Sequence, residues 1–167
     1  MKWIFETNSV LVGTPSIGNL DETDEKEIVI SGYSNNVNNF FILSHLGNQI
    51  NEIEIFEKNK SGVALSDLDE DLKDEIIFAT EEGNIYLIDE INNVAEGFPF
   101  EGPDKFRLSP TILKTESESI IFAPCKNKTL YALNLLGEVH FSKVFDEYIS
   151  TPVSILNNNG QVMLFMG

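Results

Sequence analysis

The run DEIIFATEEGNIYLI (residues 74–88) holds two unbroken apolar tracts, IIFA and IYLI, joined by a polar link ending in Gly83-Asn84. The first tract is continuous rather than alternating and rich in β-branched and aromatic residues, which suits a strand buried on both faces. The link suits a tight turn, because Gly and Asn tolerate a positive φ. The stretch therefore reads as two antiparallel strands. Outward from it, the same pair of tracts occurs twice more: KEIVISG (26–32) with FFIL (40–43), and ESIIFAP (118–124) with LYAL (130–133). Phe41, Tyr86 and Tyr131 mark the second tract at equal spacings of 45 residues. A period in that range means one supersecondary unit used several times.

Each unit extends to four strands. A small-residue and proline segment precedes it: TPSIG (14–18), GVALS (62–66), SPTIL (109–113) and again STPVSIL (150–156). Gly47, Gly137 and, in the matching place, Asn92 mark a second turn, followed by QINEIEIF (49–56), VAEGFPF (94–100) or EVHFSKVF (138–145). Four-stranded units at ~40–50 residues are the signature of β-propeller blades. A helical solenoid is excluded because no window keeps a 3.6-residue apolar period and prolines and glycines punctuate too often. A parallel β-helix needs a much shorter period. The expected fold is all-β, a propeller with blades at about 14–60, 61–108 and 109–149, a half blade at 150–167 and an orphan strand at 1–7. Propellers have about four to eight blades. The ring is then completed by more chain, by the orphan strand pairing onto residues 161–166, or by a second copy in a homodimer.

The segment LSDLDEDLKDEIIFATEEGNIYLIDEINNVAEGFPF (65–100) resembles the FG-GAP/VCBS repeats and the related quinoprotein-like propeller repeats, whose members read "SPVVADLDGDGKDEIIFGTDDGNLYAID" and then "GFP". The match is sharp in this second repeat, moderate in the first, and without its acidic loop in the third. The resemblance implies a non-catalytic binding or scaffold module for a protein or carbohydrate ligand, as in adhesion, placed outside the cell, on its surface or in the periplasm. It leaves as alternatives a cofactor-dependent or hydrolytic enzyme on the same scaffold and a propeller assembly factor. A quinone enzyme usually has several docking tryptophans, and this chain has only Trp3.

Asp67, Asp69 and Asp71 alternate, and Glu75 follows. Hard cations such as Ca²⁺ take six to eight oxygens at ~2.3–2.6 Å, which a coiled loop of alternate carboxylates supplies. An EF-hand would place its bidentate Glu where Phe78 stands, so that motif is excluded. The resemblance implies instead a shorter cage of Asp67, Asp69, Asp71, the Lys73 carbonyl and Glu75. Its usual glycines at the fourth and sixth places are Glu70 and Leu72 here. A left-handed leucine costs on the order of 1 kcal/mol or more, so a looser wrap is expected. The first repeat offers the sparser set Asn19, Asp21, Thr23, Glu25 and Glu27. The loops at 114–119 and 157–160 have no carboxylate cage.

With 27 acidic and 11 basic residues the net charge is −16. Nucleic acid and anionic lipid, which want Lys/Arg clusters, are poor partners. No apolar run reaches the ~20 residues of a membrane span, and no signal peptide is visible in the first residues. Cys125 is alone, beside Lys126 and Lys128, and reads as a small residue at a turn. Ser16, Ser66 and Ser109 lack a nucleophile context, and His45 and His140 have no carboxylate at relay spacing. Phe98 and Phe100 read as packing between blades.

Overall fold

The computed structural model describes residues 3–21, 23–34, 37–90, 93–158 and 161–167. Among them there is no helix, and hence none long and apolar enough to cross a membrane. The chain makes β1 (Val10–Gly18), β2 (Glu27–Ser34), β3 (Val37–Leu43) and β4 (Gln49–Ile55), hydrogen-bonded in that order. A second sheet holds β5 (Ala64–Ser66), β6 (Glu75–Ala79), β7 (Asn84–Glu90) and β8 (Asn93–Val94), with β9 (Phe100–Glu101) also on β7. The third is β10 (Thr111–Lys114), β11 (Ser119–Pro124), β12 (Thr129–Leu133) and β13 (Val139–Val144), and β14 (Ser154–Asn158) with β15 (Gln161–Phe165) forms a hairpin. Every pairing is antiparallel.

The apolar tracts are continuous because each middle sheet is covered on both sides. Side chains alternate across a strand, so β6 sends Ile76 and Phe78 toward Val29, Phe40 and Ile53 of the first sheet. It sends Ile77 and Ala79 the other way, toward Ile121 and Ala123. β11 repeats the division: its other face, Ile120 and Phe122, packs with Val153 and Leu164 at the hairpin. The three cores thus lie between successive sheets. Each fully buried Ile or Phe contributes ~1.5–3 kcal/mol. Phe78 is a hinge of the packing, edge-on to Phe40 at 4.7 Å and stacked on Tyr86 at 4.9 Å. The outer strand β13, by contrast, is exposed along its whole length.

The strands differ from expectation in three places. Residues 3–7 of the supposed orphan strand are in no strand; Phe5 instead lies 5.3 Å from the Phe41 ring, and Trp3 covers Gly47, so side chains rather than a ladder hold the segment. The fourth strand of the second sheet is broken into β8 and β9. Gly97 between them takes φ 86°, and Pro99, which has no N–H to give a ladder, follows. Gly97 also sits against the backbone of Leu136–Gly137, where any Cβ would strike the Leu136 carbonyl. In the fourth repeat, the first strand, expected over 150–156, starts at Ser154 as β14. Gly47 and Gly137 do turn the chain with positive φ, whereas Asn92 lies outside the described residues, as do residues 159 and 160 of the fourth loop.

Candidate functional site

The loops from first to second strands (19–21 with 23–26, 67–74, 115–118) all lie at one end of the sheets. Asp74 shows how tightly they are joined: its N–H donates to the Asn19 carbonyl at 2.5 Å, and its carboxylate accepts the Asn19 N–H at 2.8 Å. The Asn19 amide also donates to the Leu72 carbonyl at 2.5 Å. From the third sheet, the Lys114 ammonium donates to the Asp67 carbonyl and stands 4.0 Å from its carboxylate. None of these cross-sheet links was visible in the sequence, since each joins residues about one repeat apart.

Within the second loop, Asp67 accepts the N–H of Glu70 at 2.7 Å and of Leu72 at 3.3 Å. Asp69 accepts that of Asp71 at 3.1 Å, and Asp71 that of Lys73 at 2.7 Å. These bonds coil the loop, and Glu70 and Leu72 take φ of 70° and 75°, the two places where the resembling repeats use glycine. The wrap is therefore made in spite of the side chains. Leu72 obtains no burial in return, being 77% exposed.

The coil brings Asp67, Asp69 and Asp71 together, with one oxygen of each within 4.8 Å of the others. Glu75 joins a different group, Asp69 with Asp89, on the same criterion. The reason is register: the Ile76–Ile88 pair places Asp89 alongside Glu75. Glu75 is only 3% exposed and accepts the Leu68 N–H at 2.5 Å. Burial pushes its carboxyl up to about 7; the Leu68 N–H opposes this, and Asp69 and Asp67 add to it. The Lys73 side chain lies 3.8 Å from Asp71. This all-oxygen, anionic donor set fits a hard divalent cation, with Asp67, Asp69 and Asp71 as the residues that would hold it.

The first loop is a reduced copy. Glu27, also buried, accepts the Leu20 N–H at 2.8 Å as Glu75 does for Leu68. Asp21 accepts the Thr23 N–H at 2.7 Å, and hydrogen bonds from Thr23 hold its carboxyl below the usual range. Glu25 turns instead to His45, 2.7 Å from the imidazole Nδ1, a pair the sequence did not suggest because the β2–β3 register creates it.

The opposite end carries the turns after the second strands and the segments between sheets. Six of the chain's 11 basic residues lie there: Lys58, Lys60, Lys105, Arg107, Lys126 and Lys128. Glu57 binds this end of the second sheet, accepting from Thr80 Oγ1 and Asn84 Nδ2 at 2.7 Å and from the Tyr86 hydroxyl at 2.9 Å. Burial, then the Glu57 hydrogen bond, raise Tyr86 to about 12. Cys125 is buried and donates to the Asp104 carbonyl; burial raises its thiol, which disfavours the thiolate. Phe98 and Phe100 pack into the core between the second and third sheets, and Phe100 meets Phe106 and Tyr131.

Successive four-stranded antiparallel sheets packed face to face through their inner strands, with a recurring strand order, define a β-propeller. Solved propeller-like structures match the chain. It superposes on BBS1N, solved in complex with ARL6DN, with TM-score 0.68 and 14% identity over 95% of this chain and 45% of that one. For BamB from Moraxella catarrhalis the values are 0.65 and 15%, over 96% and 48%. For the Pseudomonas aeruginosa PilY1 C-terminal domain they are 0.54 and 14%, over 75% and 39%. The chain spans less than half the length of each, and at these identities the likeness is one of fold. No protein-family model matches the chain, and no curated protein matches its sequence.

Proposed function

We propose that the chain is a non-catalytic β-propeller module of the FG-GAP/VCBS type that binds a protein or carbohydrate ligand outside the cell, with Ca²⁺ held in the loop at 67–75. The observation that carries this reading is the bracing of three successive first loops, through Asn19–Asp74 and Lys114–Asp67, into one face. A pre-ordered face of loops on a rigid scaffold is a common way to build a binding surface. The similar BBS1N was captured with a protein partner. Extracellular calcium is millimolar, where weak oxygen sites fill, and detection of the native protein in the secreted or surface fraction tests the location.

The deciding experiment is a calcium titration followed by thermal melting. A site with Kd of ~0.1 mM at ~1 mM calcium stabilises by ~1.4 kcal/mol, or roughly 3–6 °C for a chain of this size. Asp69→Ala should abolish the rise, since Asp69 belongs to both carboxylate groups. No shift at millimolar calcium, or a shift that survives the substitution, ends the calcium part of the reading. Saturable binding of a soluble quinone, with reduction of a dye at the expense of an added oxidisable substrate such as an alcohol, would replace the non-catalytic part by the enzymatic alternative.

A further inference from the structure

Two successive sheets make the same hydrogen bond at the end opposite the acidic loop. The Glu81 N–H donates to the Lys58 carbonyl at 2.8 Å, and the Lys126 N–H donates to the Lys105 carbonyl at 2.9 Å. Glu81 and Lys126 are thus equivalent, and so, two residues beyond those carbonyls, are Lys60 and Arg107. In the second sheet the equivalent place is filled by a carboxylate. Glu81, 9% exposed, stands 3.0 Å from Lys60 Nζ and 2.8 Å from Arg107 Nε, the latter arriving from the next segment between sheets. Burial alone would raise its carboxyl, but the Lys60 hydrogen bond and the charges of Lys60, Arg107 and Lys105 hold it below the usual range.

In the third sheet the signs are changed. Arg107 stands where Lys60 stood and Lys126 where Glu81 stood, so two cations border the place, Arg107 with its Nε already on Glu81, and no carboxylate fills it. What lies there is a cleft of about 240 Å³. Its walls are apolar, from Leu108, Pro124 and Ile149, and Tyr148 supplies the side that the next segment contributes. Tyr148 is set in place by Lys128, whose ammonium lies 4.9 Å over the ring and donates to the Asp146 carbonyl at 2.6 Å.

We propose that this cleft binds an acidic peptide segment of a protein partner, seating a glutamate carboxylate between Arg107 and Lys126 and a neighbouring apolar side chain against Ile149 and Tyr148. Glu81 is the chain's own template for the carboxylate, and charge complementarity with a pair of cations on an apolar floor selects such a ligand. The inference rests on the chain being a binding module, but not on the calcium loop, which lies at the other end.

The test uses the full chain in EDTA and two fluorescein-labelled peptides, Gly-Gly-Leu-Phe-Glu-amide and the same peptide ending in Gln, read by anisotropy. The Glu peptide should bind at least ~10-fold tighter than the Gln peptide, a difference of about 1.4 kcal/mol, and should weaken as salt rises. Lys126→Glu should abolish the preference, with Lys143→Gln on β13 as the control that keeps it. Lys126 is exposed, so its replacement leaves the core untouched, and an unchanged melting midpoint verifies this. Arg107→Gln should weaken the Glu peptide too, though it also removes a partner of Glu81. Equal binding of the two peptides, binding of neither at millimolar concentration, or a preference that survives Lys126→Glu overturns the proposal. Asp69→Ala should leave this binding intact; if calcium fails to bind while the Glu preference stands, only the loop reading falls.

Discussion

Glu75 begins β6 with its carboxyl buried and its proton held up to about 7, against an ordinary 4.5. The fold therefore binds that proton more tightly than the unfolded chain does. This contribution is fully present below pH ~4.5 and is lost as pH rises through about 7, a change of up to ~3 kcal/mol. In EDTA, urea unfolding of the unmodified chain should lose that much more stability between pH 4.5 and 8 than Glu75→Gln does. Equal pH profiles for the two would show that the group is solvated. Glu57 offers a second residue-scale measurement: Glu57→Ala strips the acceptor from Thr80, Asn84 and Tyr86 and should cost about 2–4 kcal/mol. At this scale the sequence showed the alternating Asp67, Asp69 and Asp71 because their spacing is local. It placed Glu75 beside Asp69 but not beside Asp89, which arrives from another strand, and gave no sign of Lys114, Asp74 or His45–Glu25, which depend on register and on the neighbouring sheet.

Among the elements, β6 and β11 were legible from their unbroken apolar tracts, since a strand covered on both faces is apolar through its middle. Ile77→Ala should accordingly cost ~2–5 kcal/mol by urea unfolding, although it removes only three carbons. The outer strands were less legible because one face or both meet water and their patterns are weak. The segment at 94–100 reads as a strand, yet Gly97 is needed for close approach to Leu136 and Gly137, and that requirement is invisible without the next sheet. Gly97→Ala combines a positive φ with a collision on the Leu136 carbonyl. It should destabilise by at least ~2 kcal/mol; a neutral effect in urea would show that the two sheets can part there freely.

Over the whole molecule, the recurring unit and the propeller class could be read from three tracts in register, whereas the closure of the ring could not, because closure is a contact between surfaces and leaves no period. The first sheet turns Leu11 and Ile17 to solvent, and the β14–β15 hairpin does the same with Leu156, Val162 and Phe165. Uncovered apolar sheet faces and strand edges recruit partners. Sedimentation of this chain at micromolar concentration should therefore give a mass above that of one chain, and Ile17→Lys should lower it. A single-chain mass at every concentration would show that these faces stay solvated.

The separation of charge between the two ends has a consequence for orientation. Carboxylates crowd the end bearing residues 67–75, and most of the cations sit at the other, so the molecule carries a permanent electric dipole along the line joining them. Near a positively charged support the torque turns the 67–75 end inward. A chain adsorbed on an anion-exchange bead is thereby displayed with Arg107 and Lys126 facing the liquid, and one adsorbed through those cations shows its carboxylates instead.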